Sequence, residues 1–187
     1  MSAAYGLAPE QGWVNILEEQ STDQPIIWIN ASVSGATTAA GLQRLPGLLD
    51  KHQPQWLLLE LGANDGLQGK PIHYIKKNLV TLVEMAQAAG CKVALVGVRL
   101  PPNLGLRYTE PFFAMFKNVA DQYGLPYLPF ILEGVAGNDG LMQSDGLHPN
   151  ANGQARVALH LGPFIFGFLQ VRVTEEQAAR PEAAIKL

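Results

Sequence analysis

Residues 56–66 read W-L-L-L-E-L-G-A-N-D-G, an apolar run of strand length followed at once by glycine, an amide and a carboxylate. A short continuous apolar run is typical of a strand that is buried on both faces of a parallel sheet. We therefore predict a strand over residues 56–61 and a loop over residues 62–70. The polar side chains of that loop would lie where the strand ends.

The same alternation of strand and helix patterns extends to both sides of this stretch. Further strands are predicted over residues 25–30, 92–98 and 127–132, and helices over residues 39–49, 72–89, 111–123 and 151–169. Gly90 is expected just beyond the end of one helix, and Pro111 in the first turn of another. Apolar strands separated by helices predict an α/β fold with a parallel sheet that is covered on both faces.

The composition indicates a globular protein of 187 residues, with 48% apolar and 16% charged residues. That length fits one compact domain, which we place at residues 1–170. The charged, alanine-rich residues 171–187 are predicted to form a frayed or disordered tail. A net charge of −3 offers no basic surface for phosphate groups, so nucleic acid is not expected as a partner.

The single cysteine, Cys91, excludes an internal disulfide and makes a zinc cluster improbable. It precedes an apolar strand, so a buried thiol is expected. No stretch is apolar and long enough to span a bilayer. The opening residues, M-S-A-A-Y-G-L, have neither the basic nor the apolar region of a signal peptide, which by itself predicts a cytoplasmic chain.

In a parallel sheet, ligands gather at the carboxyl ends of the strands, so polar residues that follow strands are candidates for chemistry. Asp145 and His148 are three residues apart in a loop with glycine and proline. A carboxylate beside an imidazole can accept the Nδ1 hydrogen and leave Nε2 as a base. On this pair alone an ordinary surface turn is the favoured interpretation, because Asp-Gly is a common turn sequence.

Two further segments could supply hydrogen-bond donors to a developing oxyanion. The side-chain amide of Asn64 follows the strand at residues 56–61, and Gly35 could offer its backbone N–H after the strand at residues 25–30. Both segments can also be interpreted as simple connections, since glycine, asparagine and aspartate are common in tight turns.

Taken together and in order, these segments resemble the conserved blocks of the SGNH (GDSL) hydrolases. The matching text is N-A-S-V-S-G ending at Gly35, G-A-N-D around Asn64, and D-G-L-H from Asp145 to His148. The neighbouring residues 41–49, 52–66 and 99–108 are similar to the bacterial arylesterase and thioesterase–lysophospholipase branch. The resemblance covers residues 2–169, nearly the whole chain.

This resemblance implies a three-layer α/β/α fold with a flavodoxin-like parallel sheet and hydrolysis of small acyl or aryl esters through an acyl-enzyme. His148 would be the general base, Asp145 would orient it, and Gly35 and Asn64 would donate to the oxyanion. No metal or organic cofactor is implied. Family members are often periplasmic or secreted.

One block of the family has no counterpart in this chain. Members begin with a strand that ends in Gly-Asp-Ser-Leu, and by alignment Met1 occupies the place of its leucine. The nucleophilic serine would then precede Met1, and Ser2 is the nearest substitute. We expect a misassigned start, a partner chain that fills the gap, or closure of the remaining strands. An unfilled gap would leave unpaired strand edges and favour association between copies of the chain.

Two function classes therefore compete. The first is a serine esterase or thioesterase, whose activity in this chain depends on the nucleophile. The second is a catalytically inactive domain of the same fold that binds acyl ligands or associates with other chains. A nucleotide-binding flavodoxin-like protein is excluded, because no glycine-rich phosphate loop follows a strand.

Overall fold

The computed structural model describes residues 1–169, and the predicted tail at residues 171–187 lies outside them. Two compact units are present. One comprises Gly35–Ile131, and the other comprises Met1–Ser34 with the described residues from Leu132 onward. The assignment of residues 1–170 to a single domain stays a prediction.

The Gly35–Ile131 unit contains a parallel sheet of three strands in the order β1-β2-β3. These are β1 (Trp56–Leu59), β2 (Lys92–Val96) and β3 (Tyr127–Leu128). Trp56 pairs with Lys92, and Val96 pairs with Leu128. The strands carry the apolar runs expected of a buried parallel sheet. The predicted α/β fold is thus correct, although each of the three strands ends earlier than predicted.

Four helices belong to this unit: α2 (Thr38–His52), α3 (Ala63–Leu67), α4 (Ile72–Ala88) and α5 (Leu106–Tyr123). Helix α4 illustrates why they form. Its apolar residues recur at helical spacing and are almost fully buried, namely Ile75, Leu79, Leu82, Val83 and Ala86. Gly90 has a φ of +84°, which ends the helix in the way its sequence predicted.

Two predictions in this unit are wrong. Residues 62–70 were expected to form a loop, but they include the short helix α3. Helix α5 begins at Leu106 rather than at residue 111, so Pro111 lies inside it and not in its first turn. The reason is Gly105, whose φ of +83° directs the chain into a helix before the proline is reached. The missing N–H of Pro111 costs one helix hydrogen bond, which the buried Phe112 and Phe116 beyond it offset.

The other unit contains α1 (Trp13–Gln20) and α6 (Ala151–Leu169), which pack together. The side chain of Gln154 on α6 is 2% exposed and accepts a 3.1 Å hydrogen bond from the backbone N–H of Trp13. This bond satisfies one of the free N–H groups at the start of α1. Helix α6 has the predicted bounds, whereas α1 and the 3₁₀ turn Pro9–Gln11 before it are elements that the sequence did not predict.

The strand predicted at residues 25–30 is absent, and the prediction is wrong. The segment is irregular, with Ile27 89% exposed and Ile29 43% exposed. Between them, Trp28 turns inward: its Nε1 donates to Ser21 Oγ at 2.9 Å, and its ring packs edge-on against Phe166. An apolar run alone does not make a strand, because a strand also needs a hydrogen-bonding neighbour. Within residues 1–169 no strand pairs with this segment.

Cys91 is buried, as predicted, and its Sγ lies 2.9 Å from the carbonyl oxygen of Pro54. Burial raises the pKa of this thiol. Among the helices of residues 1–169, none combines the length and the apolar character that crossing a bilayer requires.

Candidate active site

The predicted pair Asp145 and His148 lies in a loop that backbone hydrogen bonds close on itself. Met142 and Pro149 form an antiparallel bridge, and the N–H of Gln143 donates to the carbonyl oxygen of His148 at 2.7 Å. Gly146 follows Asp145 with a φ of +65°, a conformation that suits glycine. The loop therefore folds back on itself and places the side chain of His148 beside that of Asp145.

Asp145 holds three hydrogen bonds from this turn. Its Oδ1 accepts from the backbone N–H groups of Leu147 and His148 at 2.9 and 3.0 Å. Its Oδ2 lies 2.6 Å from His148 Nδ1, which is the contact that the spacing predicted. The imidazole and the carboxylate are 30% and 36% exposed, so the pair lies at the surface of its unit.

The ionised form of Asp145 is favoured by these contacts. Burial raises its pKa, but the backbone N–H and the imidazole of His148, together with the N–H of Leu147, outweigh burial and lower the pKa to about 2. Asp145 is therefore a carboxylate at neutral pH, as an acceptor for the His148 Nδ1 hydrogen must be.

The two predicted oxyanion donors lie side by side in the other unit. Asn64 is on α3, directly after β1, and its Nδ2 donates to the carbonyl oxygen of Ala36 at 2.9 Å. This bond ties the amide to the peptide that follows Gly35. Gly35 itself has a φ of +77°, and a Cβ there would meet nothing within 4 Å, so the glycine is required by its backbone conformation rather than by a close neighbour.

A buried network behind Asn64 was not predicted from the sequence. Asp65 is 1% exposed, and its two oxygens accept from the N–H and the hydroxyl of Thr38 at 2.8 and 2.6 Å. Asn78 Nδ2 donates to the same hydroxyl at 2.9 Å. The carboxylate thereby caps the first turn of α2, where a negative charge is favourable. The one available signal was an aspartate next to Asn64 at the end of a buried strand.

Ser2, the substitute nucleophile, is only 7% exposed. Its carbonyl oxygen accepts a 2.9 Å hydrogen bond from Asn30 Nδ2. Its assignment as a nucleophile stays a prediction. Among residues 1–169, no group of three or more histidine, cysteine, aspartate or glutamate side chains is arranged to hold a metal ion.

The structure thus brings the predicted residues together in two pairs, His148 with Asp145 and Asn64 with Gly35. Each pair lies within one of the two units. The convergence of all four residues on one cleft stays a prediction, and so do their catalytic roles.

The same blocks match a family model. The model described as the GDSL-like lipase/acylhydrolase family covers residues 1–156 of the chain. The chain belongs to this family. The match includes all five predicted site residues, since it extends beyond His148.

Curated relatives of this GDSL-like acylhydrolase are named as enzymes. The esterase TesA of Pseudomonas aeruginosa is 44% identical over 165 residues, which are 87% of this chain and 82% of the relative. An arylesterase of Vibrio mimicus is 39% identical and covers 84% of this chain and 80% of the relative. The thioesterase 1/protease 1/lysophospholipase L1 of Escherichia coli K12 is also 39% identical, over 84% of this chain and 76% of the relative.

Solved structures of esterases also resemble this chain. The crystal structure of TesA matches this acylhydrolase with a TM-score of 0.85 and 43% identity, over 89% of this chain and 94% of that one. The psychrotrophic esterase EstA of Pseudoalteromonas sp., inhibited by monoethylphosphonate, matches with a TM-score of 0.87 and 39% identity, over 90% and 93% of the two chains. The fold is that of the SGNH hydrolases, and the comparisons favour an ester hydrolase over an inactive acyl-binding domain.

Proposed function

We propose that this acylhydrolase cleaves carboxylic esters through an acyl-enzyme, with His148 as the general base and Asp145 as the residue that orients it. The observation that carries the proposal is the 2.6 Å contact between His148 Nδ1 and Asp145 Oδ2. A hydrogen bond at Nδ1 fixes the tautomer in which Nε2 is unprotonated and can accept a proton. The carboxylate then stabilises the imidazolium that forms.

The proposed reaction has two halves. A serine hydroxyl attacks the carbonyl carbon of the ester while His148 Nε2 takes the hydroxyl proton. The tetrahedral intermediate collapses, the C–O bond to the leaving group breaks, and His148 returns the proton to the leaving alcohol. Water, deprotonated by the same Nε2, then attacks the acyl-enzyme and releases the carboxylic acid and the free serine.

The negative oxygen of each tetrahedral intermediate needs donors that are already in place. We assign this role to the backbone N–H of Gly35 and the side-chain amide of Asn64. An amide nitrogen carries two hydrogens, and the bond from Asn64 Nδ2 to Ala36 uses one of them. The second hydrogen is the one assigned to the oxyanion. The Ala36 bond fixes the direction of the amide, so that it need not reorganise during the reaction.

The substrates proposed are esters of small or medium acyl chains, including aryl esters and acyl thioesters. This range rests on the names of the relatives, which are an esterase, an arylesterase and a thioesterase–lysophospholipase. A thioester follows the same route: the C–S bond breaks, and His148 returns the proton to the sulfur of the leaving thiol. Nucleic acid is not among the proposed partners.

The experiment that tests the proposal is hydrolysis of p-nitrophenyl butyrate by three forms of the protein. These are the chain of residues 1–187, its Ser2→Ala variant, and a version extended at its N-terminus by a strand that ends in Gly-Asp-Ser-Leu. We expect slow or no hydrolysis by the first two forms and rapid hydrolysis by the third. In the extended version, His148→Ala should lower kcat by roughly 10⁴–10⁶-fold.

Two outcomes would change the assignment. Hydrolysis by residues 1–187 that disappears in a folded Ser2→Ala variant would make Ser2 the nucleophile. Full activity of the extended version after His148→Ala would overturn the proposed mechanism altogether. His52→Ala, which replaces a histidine at the end of α2, is the matched control and should leave kcat unchanged.

A further inference from the structure

The imidazole of His148 has a second neighbour besides Asp145. The ring of Tyr5 lies against it, with the two ring centroids 4.6 Å apart and the planes tilted by 36°. This separation is at the close end of the range in which aromatic rings attract each other. Tyr5 is otherwise 52% exposed, so the contact with His148 covers part of a side chain that is open to solvent on its remaining surface.

Gln143 fastens Tyr5 to the loop that carries His148. Its Nε2 donates to the carbonyl oxygens of Tyr5 and Pro149 at 2.8 and 3.0 Å. Its backbone N–H donates to the carbonyl oxygen of His148 at 2.7 Å. One glutamine therefore holds the backbone on both sides of the ring contact, at Tyr5 and at the histidine loop.

Gly6 allows the turn at residues 5–6 to approach the Gln143 side chain closely. Its φ is +73°, and a Cβ at this position would come within 2.8 Å of the Gln143 side-chain oxygen. A side chain at residue 6 would therefore displace the end of the Gln143 side chain. The turn at residues 5–6 is therefore in contact with the histidine loop, although 138 residues separate Tyr5 from Gln143.

We propose that Tyr5 is a positioning residue for His148, held in place by Gln143. A single hydrogen bond to Asp145 leaves the imidazole free to swing about its Cα–Cβ bond, and side chains at this degree of exposure change rotamer readily. The Tyr5 ring closes one side of the imidazole and shields the Nδ1–H···Oδ2 bond from water. The proposal rests on the proposed role of His148 as the general base.

The test uses the labelled protein of residues 1–187 and needs no turnover. Nuclear magnetic resonance would follow the carbon-bound ring protons of His148 and the exchange of its Nδ1 hydrogen with water. In Tyr5→Leu, we expect the ring-proton resonances to shift and the Nδ1 hydrogen to exchange roughly three- to tenfold faster, the size expected for loss of one aromatic pair. Tyr5→Phe keeps the ring and should restore both signals to those of the unmodified protein.

Two further variants separate positioning from a general loss of structure. Gln143→Leu leaves the Tyr5 ring in the sequence but removes its attachment, and should change the same two signals in the same direction. Tyr74→Leu removes a tyrosine of comparable exposure, 39%, from α4 in the other unit, and should change neither. Identical His148 signals in the unmodified protein and in folded Tyr5→Leu would overturn the proposal.

Kinetics distinguish failure of this inference from failure of the proposed function. In the extended version, Tyr5→Leu should lower kcat for p-nitrophenyl butyrate and leave KM nearly unchanged, because it disturbs the base rather than the binding of the ester. If His148→Ala abolishes hydrolysis but Tyr5→Leu changes neither kcat nor the resonances, only the role of Tyr5 is wrong. If His148→Ala has no effect on hydrolysis, the proposed function itself fails.

Discussion

The hydroxyl of Thr38 donates a 2.6 Å hydrogen bond to the carboxylate of Asp65, and neither residue is more than 1% exposed. The bond joins the first residue of α2 to the residue that follows Asn64 on α3. A carboxylate that is buried this deeply must have its hydrogen bonds satisfied. The segment that carries Asn64 and the segment that follows Gly35 are therefore held in a fixed relation by a group that takes no part in the proposed chemistry.

Thr38→Val should lower the free energy of unfolding by about 1–3 kcal/mol, because it leaves a buried carboxylate oxygen and the Asn78 amide without a partner. Thr38→Ser keeps the hydroxyl and should cost less. Urea unfolding of the two variants beside the unmodified protein measures the difference. Equal stabilities of Thr38→Val and Thr38→Ser would show that the hydroxyl is not what matters.

Asn64→Ala should reduce kcat for p-nitrophenyl butyrate by roughly 10²–10³-fold in the extended version, the usual cost of losing one oxyanion donor. KM should change little, since the donor acts on the tetrahedral intermediate. Gln87→Ala, which removes an exposed amide from α4, is the control and should keep full activity. A fall in activity of less than about threefold would remove Asn64 from the oxyanion hole.

The depressed pKa of Asp145 predicts a specific dependence of stability on pH. Its value is about 2 in the folded protein and about 3.9 in an unfolded chain, so its contribution is fully present above about pH 4 and is lost as the pH falls towards 2. Asp145→Asn removes this dependence. The difference in unfolding free energy between the two proteins should therefore be larger at pH 6 than at pH 2.5, as urea titrations at both values would measure. A difference that grows on acidification would contradict the assignment.

Strand β1 pairs only with β2 among the described residues, so its other edge has no strand partner there. Open edges of buried parallel strands pair readily with other chains. Residues 1–187 are therefore expected to associate, whereas the version extended by a Gly-Asp-Ser-Leu strand should be a monomer. Size-exclusion chromatography with light scattering tests this directly. A stable monomer of residues 1–187 would mean that the edge is protected in another way.

Much of the fold could be predicted because helix and buried-strand patterns are local. The bounds of α6 and the stop at Gly90 follow from nearby residues alone. Residues 25–30 could not be predicted in the same way. Their apolar character is a local property, whereas a strand requires a neighbour supplied from elsewhere in the chain.

The same difference between local and long-range contacts applies to the candidate site. Asp145 and His148 are three residues apart, so their contact depends only on one turn and was predicted correctly. Asp65 bonds to Thr38, which is 27 residues away along the chain, and Gln143 bonds to Tyr5, which is 138 residues away. Such contacts depend on how distant elements pack. The residues of the two segments do not by themselves specify that packing.

The buried thiol of Cys91 can report local opening of the folded protein. Disulfide reagents react with the thiolate, and burial with a raised pKa suppresses that form in the folded state. Labelling can proceed only when the chain around Pro54 and the start of β2 opens. Because the sequence contains no second cysteine, the labelling rate of the folded protein reports opening of the chain where it enters β2, the central strand of the three, and no mutation is needed.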